Sequence, residues 1–344
     1  MKKILLCLLM SLSLVACSNT STEPTTTATP DETTTTEETT TLKIGLGSVT
    51  GIDNKSAATE DSNGESVITT TICVVTLDGD MINQVTFNTV EAKAYIDSNG
   101  AMATDFDAEI LSKKELGDDY NMVTYGNSIG EWYEEVADLE MFLTGKTVEE
   151  ALALETSEDM MTELNTTTTI SITDFIKALD KAIVNAVEVE NLDSFGLGLV
   201  SNFSSAHSSD ASEDGDGALE ANITYAAVGY DVDGKIVSLK LDVAQNKTYF
   251  DTTGTFTTDT MGENPTKVEK GDDYGMVAYG NSIAELYEEV AGLEAFLIGK
   301  TVEEVLLVEG DADMMTELNT TTTITISGYI KAINNSTTDV KSVK

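Results

Sequence analysis

The sequence predicts an α+β protein built from two tandem homologous modules, each an antiparallel sheet with two or three packed helices. Three observations carry this. Residues 117–179 align without a gap onto residues 271–333, at a constant offset of 154, with 45 of 63 positions identical, so one supersecondary unit is written twice. Ahead of each copy lie runs in which apolar and polar residues alternate around an Asp-Gly turn, the pattern of an antiparallel hairpin. Inside each copy the apolar residues change to helical spacing, punctuated by capping signals. Strands grouped before helices, rather than alternating with them, give an α+β layer arrangement.

The chain opens with Lys2 and Lys3 and an apolar run over residues 4–14. That run is too short to span a bilayer, so it reads as an export signal. It closes on Leu14, Val15, Ala16 and Cys17 before a polar stretch, which resembles the lipobox of bacterial lipoproteins. The resemblance implies cleavage before Cys17 and lipidation of Cys17, with signal and lipobox over residues 1–17. The mature chain is then expected on the extracytoplasmic face of the cell membrane, held by acyl chains. Residues 18–41 are Thr, Ser, Glu, Asp and Pro with no large aliphatic residue. Such a segment cannot bury enough apolar area to offset its ordering entropy, and it is expected to be a disordered tether. Module 1 is placed at 42–188, module 2 at 193–335 and a C-terminal tail at 336–344, with residues 186–193 as the boundary.

Charge narrows the function classes. There are 19 Lys plus Arg against 60 Asp plus Glu, and every basic residue is Lys. Loss of Lys2 and Lys3 with the signal takes the formal charge from −41 to −43. Such a field repels phosphate backbones and anionic headgroups, and no arginine is present to fork onto a phosphate, which excludes nucleic acid as a partner. Of the three cysteines, Cys7 leaves with the signal and Cys17 takes lipid. Cys73 remains alone in a strand-like run, with Val228 as its apparent equivalent, and reads as a buried apolar thiol.

In the first hairpin residues 67–77 run to Asp78 and Gly79 and return through Val85 and Phe87. In the second, residues 223–232 run to Asp233 and Gly234, and Val237, Leu239, Leu241 and Val243 then alternate with Ser238, Lys240 and Asp242. Both are expected to be half-buried. Trp132, Val136, Leu139 and Leu143 mark an amphipathic helix stopped by Gly145, with Glu134, Glu135 and Glu140 on the polar side. Thr147 with Glu150, and Thr301 with Glu304, are capping boxes that start a second helix. Residues 166–172 are β-branched almost throughout and predict an extended segment. Phe175, Ile176, Leu179, Ala182 and Ile183 then form one face of a last helix.

The order of hairpin, helices and a Thr-rich segment feeding the helix at Phe175, Ile176, Lys177 and Ala178 resembles the FMN-binding domain family of exported flavin-carrying lipoproteins and respiratory subunits. In that family a Gly-Ala-Thr run precedes the helix, and its threonine takes FMN as a phosphoester. The resemblance places Thr169 and Thr323 at the flavin-binding position. Thr167 and Thr168 stand where the family has Gly and Ala, and both copies share the change. Two β-branched residues crowd an approach that Gly and Ala leave open.

A second candidate site is the loop over residues 117–129. Asp118, Asp119, Tyr120, Tyr125 and Asn127, repeated as Asp272, Asp273, Tyr274, Tyr279 and Asn281, combine aromatic, amide and carboxylate groups between glycines, as ligand-binding loops do. Residues 204–217 read as a disordered stretch carrying the single histidine, His207. Asp210, Asp214 and Gly215 look like the start of a calcium loop, but the twelfth position holds Ala221 where a bidentate Glu belongs, so no metal site is assigned. No Ser, His and Asp set or Cys and His pair supports a hydrolase. The expectation is a membrane-tethered, non-catalytic protein with an FMN-binding-like fold that binds a small ligand or a protein partner and carries no cofactor. The alternative is a flavin-carrying electron-transfer lipoprotein, with FMN at one or both modules and a redox partner.

Overall fold

A computed structural model describes residues 41–280 and 282–343. The signal, Cys17, nearly all of the tether and Asn281 lie outside these residues. Module 1 contains β1 (Leu42–Ser56), β2 (Gly64–Asp78) and β3 (Met81–Ile96), then α1 (Lys113–Leu116), α2 (Met122–Gly126), α3 (Trp132–Leu143), α4 (Val148–Leu152), α5 (Glu158–Leu164) and α6 (Thr173–Val184), and closes with β4 (Val187–Val189). Module 2 repeats the order except that α1 has no helical counterpart, with β5 (Ser194–Phe203), β6 (Gly217–Tyr230), β7 (Ile236–Phe250), α7 (Met276–Gly280), α8 (Leu286–Leu297), α9 (Val302–Leu307), α10 (Ala312–Leu318), α11 (Ser327–Asn335) and β8 (Val340–Ser342). The sheets have the orders β3-β2-β1-β4 and β7-β6-β5-β8, with antiparallel pairing throughout. The α+β class with two four-stranded antiparallel sheets matches the sequence expectation.

The long strands β2, β3, β6 and β7 bury residues on both faces over much of their length. In β2, Cys73, Val75 and Leu77 face module 1's own helices. Ile68, Ile72 and Val74 face the other way, into a core shared with Phe195, Leu199, Ile223, Tyr225 and Phe250 of module 2. The molecule is therefore four layers: helices, sheet, sheet, helices. The modules meet as one body, and their contacts come in two-fold related pairs. Ala58 N–H donates to Gly254 O and Ala211 N–H to Gly100 O, each at 2.8 Å, and these positions are equivalent in the two copies. This is the isologous geometry of a two-fold dimer within one chain.

The expected half-burial of the hairpins is corrected by this arrangement. The polar face of the period-two pattern meets the partner sheet, with hydroxyls paired across and along the interface, Ser201 Oγ being a buried exception without a partner. Ser48 Oγ lies 2.6 Å from the Tyr225 hydroxyl, Thr50 pairs with Thr70 at 2.9 Å, and the Thr248 hydroxyl donates to Ser66 Oγ at 3.0 Å. A buried hydroxyl costs little once paired, so Ser and Thr serve as core residues here.

The first strand of each module is built for close helix packing. Gly45 and Gly47 in β1, and Gly196 and Gly198 in β5, lie directly beneath the last helix of their module. A Cβ on Gly198 would sit 1.9 Å from Ala332 O, and one on Gly47 would sit 2.3 Å from Ala178 O. Only glycine lets the helix backbone lie that close.

Three further expectations change. The run over 166–172 is not a strand: α5 ends at Leu164 and the chain turns through Thr166 and Thr167. Their hydroxyls donate to the carbonyls of Glu163 and Leu164 at 2.8 and 3.2 Å, a local competition that overrides β propensity. Residues 204–217 are ordered, with Ser209 paired to Ala218 and Ser212 to Gly215. Asp210 accepts from Met102 N–H of the other module at 2.8 Å. The equivalent of Cys73 is Ala226 rather than Val228, because Gly47 pairs with Cys73 and Gly198 with Ala226. The second hairpin loop is one residue longer, so matching the Asp-Gly turns misplaces the register. Cys73 is fully buried, and burial, with Glu140 nearby, pushes its thiol well above the usual range.

Candidate functional site

The duplicated loop forms a knuckle rather than a pocket wall. A 3-10 turn over Gly117–Tyr120 leads into α2, with Asn121 and Asn127 both in the left-handed region at φ 59° and 55°. Asparagine tolerates this conformation better than other residues with a side chain. From the start of α3, the Glu131 carboxylate accepts the Met122 and Val123 N–H groups at 2.7 and 3.2 Å, holding the free donors of the knuckle helix. Glu285 does the same for Met276 and Val277 at 2.8 and 3.1 Å.

The candidate loop residues divide into supports and tips. Tyr120 donates to Glu91 at 3.2 Å with the Lys113 ammonium 4.7 Å from its ring centre, while Asp118 accepts from Tyr133 at 3.1 Å. In module 2, Tyr274 donates to Gln245 and Asp272 accepts from Tyr287. These residues fasten the loop to the sheet edge and to the following helix. Asp119 and Asp273 are exposed, as is Asn127. Tyr125 and Tyr279 form the tips, 85% and 91% exposed, flanked by exposed Val123 and Ile129 and by Val277 and Ile283.

A buried carboxylate stands behind each knuckle. Glu135 on α3, assigned to the polar side in sequence, is 1% exposed. It accepts from Gly130 N–H at 3.2 Å, the Thr168 hydroxyl at 3.0 Å, Ile170 N–H at 3.2 Å, and both the N–H and hydroxyl of Thr169. Glu289 repeats the clasp with the Ser282 hydroxyl at 2.7 Å, the Thr322 hydroxyl, and the N–H and hydroxyl of Thr323. Burial raises the pKa of each carboxyl, but the donors, led by the Thr169 and Thr323 N–H groups, outweigh it and hold both below the ordinary value.

The clasp decides how well the threonines suit a flavin phosphoester. Thr169 Oγ1 donates its proton to Glu135 at 3.0 Å, and Thr323 Oγ1 to Glu289 at 3.0 Å. A flavin phosphodiester on either oxygen would remove that donor and set one more negative charge against a buried carboxylate. The residues present do not fit the group.

Two clefts open where the sheets part, related by the two-fold. The first, about 490 Å³, lies between β3 and β5. Glu140, 4% exposed, accepts there from Phe87 N–H at 2.7 Å, Lys114 at 3.2 Å and Lys341 of β8 at 2.6 Å. Lys114 also pairs with Asp339 at 2.9 Å. The second, about 460 Å³, lies between β7 and β1. There Glu294 accepts from Leu241 N–H at 2.8 Å and pairs with Lys240 at 3.0 Å. In both, a helix glutamate takes a backbone donor from the edge strand, which shields that edge from further pairing.

Of the remaining titratable groups, His207 is a surface residue bonded through Nδ1 to Glu220 at 3.0 Å. Among the described residues no group of three or more His, Cys, Asp or Glu side chains is placed to hold a metal ion, and no helix is long and apolar enough to cross a membrane. No protein-family model, no curated protein and no solved structure matches this chain.

The residues missed in sequence are Glu135, Glu140, Glu289, Glu294 and Lys341. The glutamates sit on the flank of an amphipathic helix, where periodicity assigns them to water. Their recurrence in both copies is the one signal that could have set them apart from Asp138, which is Gly292 in the second copy.

Proposed function

We propose that the chain is a membrane-tethered, extracytoplasmic lipoprotein that acts without catalysis, binding a partner through two copies of one tyrosine-tipped knuckle. The observation that carries this is selective retention of exposed apolar groups. Within the duplicated block, exposed Met141, Ile298 and Leu307 stand opposite Ala295, Thr144 and Ala153 in the other copy. At the knuckle, Val123, Tyr125 and Ile129 stand opposite Val277, Tyr279 and Ile283, all exposed. Exposed apolar side chains add little to the fold, and drift has replaced Met141, Ile298 and Leu307 in the other copy, while Leu306 and Tyr287 keep their types as Leu152 and Tyr133. The knuckle is where three such residues are retained together and exposed in both copies, and a contact surface explains that. The Glu131 and Glu135 supports keep the knuckle preformed, which reduces the ordering cost of binding. Exposed Asp119 and Asp273 beside the tips favour a neutral or cationic partner.

The flavin-carrying alternative, with FMN on Thr169 or Thr323 and a redox partner, has the carboxylate clasp against it. Anchoring rests on the lipobox-like end of the signal at Cys17 and on the tether that follows.

Binding is tested by immobilising the soluble mature chain and passing over it the solubilised envelope of the producing bacterium. A component retained by the wild type is expected to be held about 10² to 10⁴ times more weakly by Tyr125→Ala or Tyr279→Ala, as two-point attachment becomes one-point, and to be lost from the double variant. Undiminished retention by the double variant would remove the knuckles from the function.

A further inference from the structure

The two clefts are equivalent positions of one fold with different contents, and we infer that the second is a binding site for a small organic monocation with an apolar body, its ammonium or amidinium group received by Asp242. In the first cleft the chain supplies its own cations, since the Lys114 and Lys341 ammonium groups stand before buried Glu140. Their equivalents in the second cleft follow from register and from the block alignment. Lys341 pairs with Phe195 as Val187 pairs with Ile44, and Lys114 falls on Val268. Both cations are thus replaced by valine, while Asn88 is replaced by Asp242. Two lysines are gained: Lys240 in place of Thr86, with its ammonium committed to Glu294, and Lys270 in place of Leu116, which stands near both Asp242 and Glu220.

What remains is a cavity of about 460 Å³ with apolar walls, including Leu46, Val187 and Val268, and carboxyl groups at one side. That volume suits a compact ligand. Asp242 is fixed by the Thr266 hydroxyl at 2.6 Å and by the Val243 and Val268 N–H groups at 2.6 and 3.2 Å. Around it stand Glu269 and Lys270 from the segment after β7, Tyr225 from β6 and Tyr329 from α11. Lys181 of α6 is paired with Glu269 at 2.6 Å. Burial pushes the Asp242 carboxyl up to about 7. Glu294 is raised as well, by burial that the Lys240 pair does not offset. An arriving cation restores the compensation that Lys114 and Lys341 give the first cleft, and Tyr225 and Tyr287 are among the residues that line the cavity.

A cation favours ionised Asp242, so binding expels the proton held by the neutral fraction. Affinity is therefore expected to rise about tenfold from pH 6 to pH 8 and to flatten above. The test is calorimetric titration of the full mature chain with 2-phenylethylammonium, charged throughout this range, and with 2-phenylethanol as its neutral counterpart. The amine is expected to bind with that pH profile, and the alcohol about tenfold more weakly or not at all. Asp242→Asn, which restores the residue type of Asn88, is expected to weaken amine binding about tenfold and to abolish its pH dependence. Val187→Lys, which supplies the cation that Lys341 places in the first cleft, is expected to block the site with the melting temperature unchanged. Absence of amine binding, equal binding of the alcohol, or wild-type binding by either variant would overturn the assignment.

Discussion

Replacing Glu135 by alanine is expected to lower stability by about 3 kcal/mol, because a buried acceptor shared by donors from two loops disappears at once. The carboxylate ties Gly130 beside the knuckle to Thr168, Thr169 and Ile170 after α5. Without it, buried Thr168 keeps an unpaired hydroxyl, and the Thr169 amide loses its acceptor. Denaturant unfolding measures the loss. Hydrogen exchange places it, since the Thr169 and Ile170 amides should lose protection while β2 keeps its own. Unchanged stability and unchanged protection of these amides would show that the clasp holds nothing. The clasp also gives a pH signature. Both glutamates have folded pKa values below the ordinary 4.5, so the stability they contribute is complete above that value and is lost as pH falls through the lower folded values.

The second large effect is expected at Gly198. Its substitution by alanine puts a methyl carbon 1.9 Å from Ala332 O and 2.3 Å from Ser336 N, both backbone atoms of the segment formed by α11 and its C-terminal end. No side-chain rotation relieves such a clash, so the helix must lift from β5 and open the core formed by Ile330, Ile333 and Val228. The cost is expected to be about 3 kcal/mol, at the upper end of overpacking. Gly51, also in a first strand, has nothing within 4 Å of the point a methyl carbon would occupy, and Gly51→Ala is expected to be neutral within about 0.5 kcal/mol. Equal melting temperatures for the two variants would contradict the close-packing role.

Much of the fold was legible because local signals and tertiary structure agree. The capping boxes at Thr147 and Thr301 form as the sequence suggests, Gly145 ends α3 with φ 82°, and the hairpins pair. What was hidden depended on the other module. β1 and β5 lack a strict alternation because their glycines answer to a helix and their Ser and Thr residues to a partner sheet. The same partner sheet turned polar positions such as Ser48 and Ser66 into core, which no single-strand pattern can show. Around the knuckle the residue types were visible, but their roles were not. Tyr120 and Tyr125 look alike in sequence, yet one is pinned to Glu91 and the other stands 85% exposed. The Thr-rich segment shows the strongest reversal, since its β propensity yields to hydroxyl bonds with preceding carbonyls and to one buried glutamate.

The same glutamate separates the two functional readings, and the intact mass of protein extracted from the membrane tests them together. A tethered binding protein requires a chain that begins at Cys17, carries added lipid there, and bears no further group on the peptides containing Thr169 and Thr323. An FMN adduct on either threonine, or a full-length N-terminus without lipid, would contradict it.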